Sequence, residues 1–116
     1  MRSKPVFALP EVEADLELAV AHYCSWRADG STHILEKYAE TIAWIEWNPD
    51  GFPKKHGAVQ RAILKHSYYV VYFLQEADRS LIIAVLDARR NPREINRIIR
   101  TRRRTQPESN KSRPAA

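Results

Sequence analysis

The 116-residue chain has one cysteine, three glycines and no long apolar run. A single cysteine, Cys24, excludes an internal disulfide and any zinc site built on several thiolates. With so few glycines, and no Gly-x-Gly-x-x-Gly or Gly-Lys-Ser/Thr sequence, no glycine-rich loop is available to cradle a nucleotide phosphate. No stretch approaches the ~18 apolar residues of a membrane span. After Arg2 and Lys4 only residues 6–9 are apolar, too few for a signal-peptide core. These absences predict a cytoplasmic protein with no membrane partner. His22, His33, His56 and His66 are scattered without metal-ligand spacing, so neither a metal nor a cofactor is expected.

What is present suits one soluble domain. The 44% hydrophobic and 28% charged fractions supply one core and a solvated surface. We assign the domain to residues 1–104. Residues 105–116 are rich in Pro, Ser and polar side chains and read as a disordered tail. The net charge of +5 conceals a gradient. Residues 1–50 hold four Lys/Arg against nine Asp/Glu, and residues 97–116 hold seven against one. An acidic first half and a basic second half point to two faces with different partners, the basic one suited to phosphate backbones or an acidic protein patch.

The pattern along the chain predicts an α+β fold. Residues 5–9 read as an N-terminal edge strand opened by Pro5. Val12, Leu16, Ala19, Val20 and Tyr23 recur at three- and four-residue spacing, as do Leu35, Tyr38, Ala39, Ile42 and Ile45. The two stripes predict a helical hairpin turning at residues 29–31 and ending at Asn48-Pro49. Trp26, Trp44 and Trp47 read as core packing, or in part as an exposed patch for a partner, with Trp44 and Trp47 three apart on one helix face, and Cys24 reads as a buried structural cysteine. Residues 52–57 form a loop. Residues 59–65, 68–74 and 81–86 then read as a three-stranded antiparallel meander; the last, continuously apolar, belongs at the sheet centre. Asn91-Pro92 with Glu94 opens a short C-terminal helix.

Several segments in this order carry a resemblance: Ala14-Asp15-Leu16 with Tyr23, Asn48-Pro49 through Gly57, Arg61, Ser67-Tyr68-Tyr69-Val70-Val71-Tyr72, and Val85-Leu86-Asp87-Ala88-Arg89-Arg90-Asn91-Pro92. Together they resemble the RelE/ParE superfamily, toxins of type II toxin–antitoxin modules. The resemblance implies a growth inhibitor with that α+β fold, silenced by a cognate antitoxin protein. Its target would be DNA gyrase in ParE-like members, or messenger RNA on the ribosome in RelE-like members. RNA cleavage needs a base, an acid and cations around the scissile phosphate. Lys54, Arg61, Arg89 and Arg90 are the candidates for a RelE-like endoribonuclease, with Lys55 and Lys65 nearby. No tyrosine follows Tyr72 and no histidine follows His66, so the C-terminal acid–base group of RelE-like members is missing. The expectation is therefore ParE-like action on gyrase, which would make the protein no enzyme, whereas a RelE-like member would be a messenger RNA endoribonuclease.

Each candidate also has a plainer reading. Arg61 can touch a phosphate or pair with Glu76 or Asp87. Arg89 and Arg90, adjacent in sequence, should point to opposite faces, one toward an acid and one toward the open face. Tyr68, Tyr69 and Tyr72 offer rings for base stacking or for the core. Ile95, Ile98 and Ile99 with Arg97 form an apolar line bordered by cations, matched to an acidic amphipathic antitoxin segment unless the isoleucines pack on the chain's own sheet. A class apart from toxins is a basic nucleic-acid-binding domain.

Overall fold

The runs of β-branched and aromatic residues become strands, and the stripes of three- and four-residue spacing become helices. The computed structural model describes residues 3–25, 27–104 and 113–114. The order is β1 (Val6–Ala8), α1 (Glu11–Cys24), α2 (Gly30–Trp47), a 3-10 turn (Pro49–Gly51), β2 (Lys54–His56), β3 (Val59–Ile63), β4 (Tyr69–Gln75), β5 (Ser80–Asp87), α3 (Pro92–Arg104) and β6 (Arg113–Pro114). The sheet runs β2-β3-β4-β5-β1-β6. Strands β2 to β5 are antiparallel neighbours, β1 lies parallel to β5, and β6 is antiparallel to β1.

The α+β class and the β3-β4-β5 meander agree with the sequence. The strand order differs from the expectation in three ways. Lys54-Lys55-His56, read as loop, is an edge strand, because Gly57 takes a left-handed φ of 63° and turns the chain back so that His56 pairs with Val59. Strand β1 is not the edge, since β6 lies outside it. Of the tail assigned to residues 105–116, only Arg113–Pro114 lies among the described residues, and its backbone pairs with Phe7 and Ala8.

Strand β5 sits at the sheet centre as its apolar run requires, with Ser80 through Leu86 all buried. It carries a bulge: Tyr72 faces Ala84 while Phe73 faces Ile82, so Ile83 is the extra residue and the register shifts by one while the strands stay antiparallel. Tyr69 and Tyr72, three apart on β4, point to opposite faces. The Tyr69 ring lies 6.0 Å from Tyr23 of α1, and the Tyr72 ring lies 5.7 Å from His56 of β2. The hairpin thus covers the Tyr69 face, and His56 marks the other.

Val12, Ala19 and Tyr23 of α1 are buried as expected. The α2 stripe holds at Tyr38, Ile42 and Ile45 and shifts at two positions, with Ile34 and Thr41 buried while Leu35 and Ala39 are exposed. The cause is the hairpin corner. A Cβ at Gly30 would collide with the backbone of Tyr23 and Cys24, so only glycine allows the two helices this approach, and it fixes the rotation of α2. Cys24 and both described tryptophans are corrections. Cys24 is exposed, one position (about 100°) round the helix from buried Tyr23. Trp44 and Trp47 are 57% and 51% exposed, packed edge to face on each other at 5.6 Å, because they lie across the helix from buried Ile42 and Ile45, respectively. Trp26 lies outside the described residues. Among the described residues no helix is long and apolar enough to cross a membrane.

Candidate anion-binding groove

The site begins with the joint that holds α3. Strand β1 pairs with β5 only as far as Ile82, which leaves the edge of β5 beyond it open. Asp15, 5% exposed, reaches that edge from α1 and accepts the Val85 N–H at 2.9 Å. Arg102 comes from α3 and donates to both Asp15 oxygens, at 2.6 and 2.9 Å, and to the Ile83 carbonyl at 3.1 Å. A buried carboxylate, a forked guanidinium and two orphan backbone groups thus satisfy one another. In sequence, Asp15 belongs to the Ala14-Asp15-Leu16 segment and Arg102 to the basic stretch 97–116. Nothing local signals a pair 87 positions apart.

Asn91 caps α3 as predicted, its Oδ1 accepting the Arg93 N–H at 2.9 Å. Glu94 pairs with Arg90 at 2.9 Å. Ile95 and Ile99 are buried and Ile98 is half-buried against the core. On a 3.6-residue period Ile95, Ile99 and Arg102 share the inward side, and Arg93, Arg97, Arg100 and Arg104 share the outward one. These four are exposed and have no acidic partner among the described residues, and the same holds for Arg103.

Between α3 and the β2–β3 turn lies an open groove of about 480 Å³, lined by His56, Gly57, Asn96, Arg100, Arg103 and Arg104, with Ile99 at its floor. Among the described residues no carboxylate lines it. Burial first, then the charges of Lys55 and Arg61, hold the His56 imidazole below the ordinary histidine value, and a hydrogen bond with Asn96 only partly offsets them. Burial raises the Tyr72 phenol against the pull of Arg61, so Tyr72 keeps its proton. The groove is therefore a concave cationic surface with a neutral imidazole among arginines, an arrangement that attracts anions.

The four cations chosen from the sequence do not converge. Arg61 faces Tyr72 across the β3–β4 ladder, near Lys54, since its N–H bonds the Pro53 carbonyl. It takes neither expected acid: Glu76 pairs with Arg79, and Asp87 with Arg89. Arg89 and Arg90 lie beyond the far end of β4, about 10 Å or more along the strands. Both are held by acids rather than one being free. Arg89 forks onto Asp87 at 2.8 and 3.1 Å and stacks 4.1 Å over exposed Tyr68. That contact holds the Asp87 carboxyl below its usual range. Of the antitoxin-contact set, Ile95 and Ile99 face the chain's own core, which leaves Arg97 and the exposed part of Ile98 on the surface. His56, absent from the sequence candidates, had only its place between Lys55 and Gly57 as a signal. No model of a known protein family matches the chain, and no curated protein is significantly similar to it.

Proposed function

We propose that this protein is the toxin of a type II toxin–antitoxin module, a growth inhibitor silenced by a cognate antitoxin and directed at DNA gyrase. The observation that carries this reading is where the residues of the RelE/ParE resemblance sit. Asp15 locks α1 to β5 and α3, Tyr23 packs on Tyr69, Asp87 and Arg89 close the end of β5, and Asn91 caps α3. These residues serve as joints of one architecture, as a family pattern should. The dispersal of Lys54, Arg61, Arg89 and Arg90, with both of the last two neutralised by acids, favours binding over RNA cleavage. An acidic antitoxin segment would cover the exposed part of Ile98, on a different side of α3 from its arginine line, and the positive charge of the second half of the chain would speed encounter.

A second reading, a RelE-like messenger RNA endoribonuclease, is favoured by His56 beside Tyr72 and Arg61. That trio supplies an acid–base group and a cation in place of the missing C-terminal one. Induced expression with and without the adjacent small gene separates the readings. The gyrase reading expects growth arrest with DNA-damage signalling and filamentation, relieved by the neighbouring gene. Messenger RNA cut at codon boundaries before any DNA damage would replace it with the second. Unchanged growth while soluble protein accumulates would remove both.

A further inference from the structure

Among the described residues, no ion pair ties the outward arginines of α3 to the rest of the fold. The inward side of the helix is fully used: Ile95 and Ile99 are in the core, and Arg102 is spent on Asp15. Asn91 and Glu94 are spent on the cap and on Arg90. What remains is Arg93, Arg97, Arg100 and Arg104, at intervals of four, three and four residues. They form one line about 16 Å long, with Arg103 and the basic groove beside it. Five like charges held on one helix without acids repel one another, and nothing in the described chain relieves that cost.

We infer that α3 is a duplex-DNA-binding helix, its arginine line set against the phosphate backbone at the major groove. Three observations favour this ligand. The line contains no apolar residue, whereas a protein partner needs an apolar centre to its interface; the one half-buried apolar side chain of α3, Ile98, points elsewhere. Among the described residues the groove beside it is lined by no Phe, Tyr or Trp, and its one ring, His56, is half-buried, so it lacks the run of exposed aromatics on which single strands stack. A single exposed helix fits the roughly 12 Å major groove of B-form DNA but not the deep, narrow one of A-form RNA. The contacts are to phosphates, so the binding has no sequence preference. This inference goes beyond the toxin reading and is measured without reference to growth, so either can fail alone.

The test is fluorescence anisotropy of the full chain with a labelled 20-base-pair duplex between 50 and 200 mM salt. Four phosphate contacts give a slope of about −4 in log K against log salt, a loss of roughly 100-fold over that range. Arg97→Gln with Arg100→Gln should bring the slope to about −2 and the loss to roughly tenfold. Arg27→Gln, an arginine away from α3 paired with Asp29, should leave the slope unchanged. Both variants alter exposed or half-exposed side chains, and circular dichroism checks that each is folded. Absence of duplex binding at 50 mM salt, a slope unmoved by the double variant, or an equal effect of Arg27→Gln would overturn the inference. So would tighter binding to a 20-nucleotide RNA single strand than to the duplex, which would point to the endoribonuclease reading.

Discussion

The arginines at the end of β5 and those on the outside of α3 are close in sequence and opposite in circumstance. Arg89 and Arg90 each lie on a carboxylate, Asp87 and Glu94, and so contribute little net field. Arg93, Arg97, Arg100, Arg103 and Arg104 have no such partner among the described residues. Net charge alone would rank the two groups together. The comparison shows that an unneutralised charge marks a binding surface more specifically than charge itself, because a paired arginine has already given its fork to the fold. Arg102 sharpens the contrast. It sits among the free arginines in sequence, yet it is the most deeply engaged of all.

Breaking the Arg102 joint should have the largest effect. Asp15→Ala removes the acceptor of both the guanidinium and the Val85 N–H, so unfolding free energy should fall by about 3–5 kcal/mol, read from urea denaturation. Replacing the pair together, Asp15→Leu with Arg102→Met, should recover part of this. Val85 N–H and Ile83 C=O would stay unsatisfied, so a deficit of about 1–3 kcal/mol should remain. Full recovery would show that the joint serves the charges and not the strand edge.

The next effect belongs to the core rather than the surface. Burial pushes the Tyr38 phenol up to about 12, whereas an unfolded tyrosine ionises near 10. The folded state thus holds the proton longer than the unfolded one. Stability is fully present below pH 10 and is lost as pH rises from 10 toward 12, by roughly 2–3 kcal/mol. Tyr38→Phe should flatten that part of the pH–stability curve, and a curve as steep as the parent's would assign the loss to other groups. The smallest effect is expected at the end of β5. Arg89→Gln breaks an ion pair open to solvent, and its denaturation midpoint should stay within measurement error of the parent. A clear drop would mean that the stack on Tyr68 contributes more than its exposure suggests.

Much of the architecture was legible because it is written in local periodicity. The aromatic run of β4, the unbroken apolar run of β5 and the cap at Asn91 each need only neighbouring residues to be read. The rotation of α2 was not legible, since it depends on how closely Gly30 lets the helix approach the end of α1. Trp44 and Trp47 lie on the solvent side of α2, and Cys24 lies one position round α1 from buried Tyr23, so their spacing alone does not reveal their exposure. Strand β2 escaped notice because Lys54-Lys55-His56 has no apolar alternation, and its pairing rests on the left-handed turn at Gly57 and on the partner strand.

For the candidate groove the division is sharper. The sequence by itself determined that the chain is one α+β domain, that its positive charge lies in the second half, and that α3 has an apolar side and a cationic side. These follow from composition and from the 3.6-residue and two-residue repeats, which act over a few neighbouring positions. Only the tertiary structure decided which cations are free. Arg102 is engaged because the fold brings Asp15, 87 residues away, against it, whereas Arg79, Arg89 and Arg90 take acids two to four residues away, which leaves Glu76 and Asp87 unavailable to Arg61. It also decided that His56 stands in the groove and that Ile95 and Ile99 are consumed by the core, because burial and pairing are properties of distances in space, which the linear order of residues does not contain.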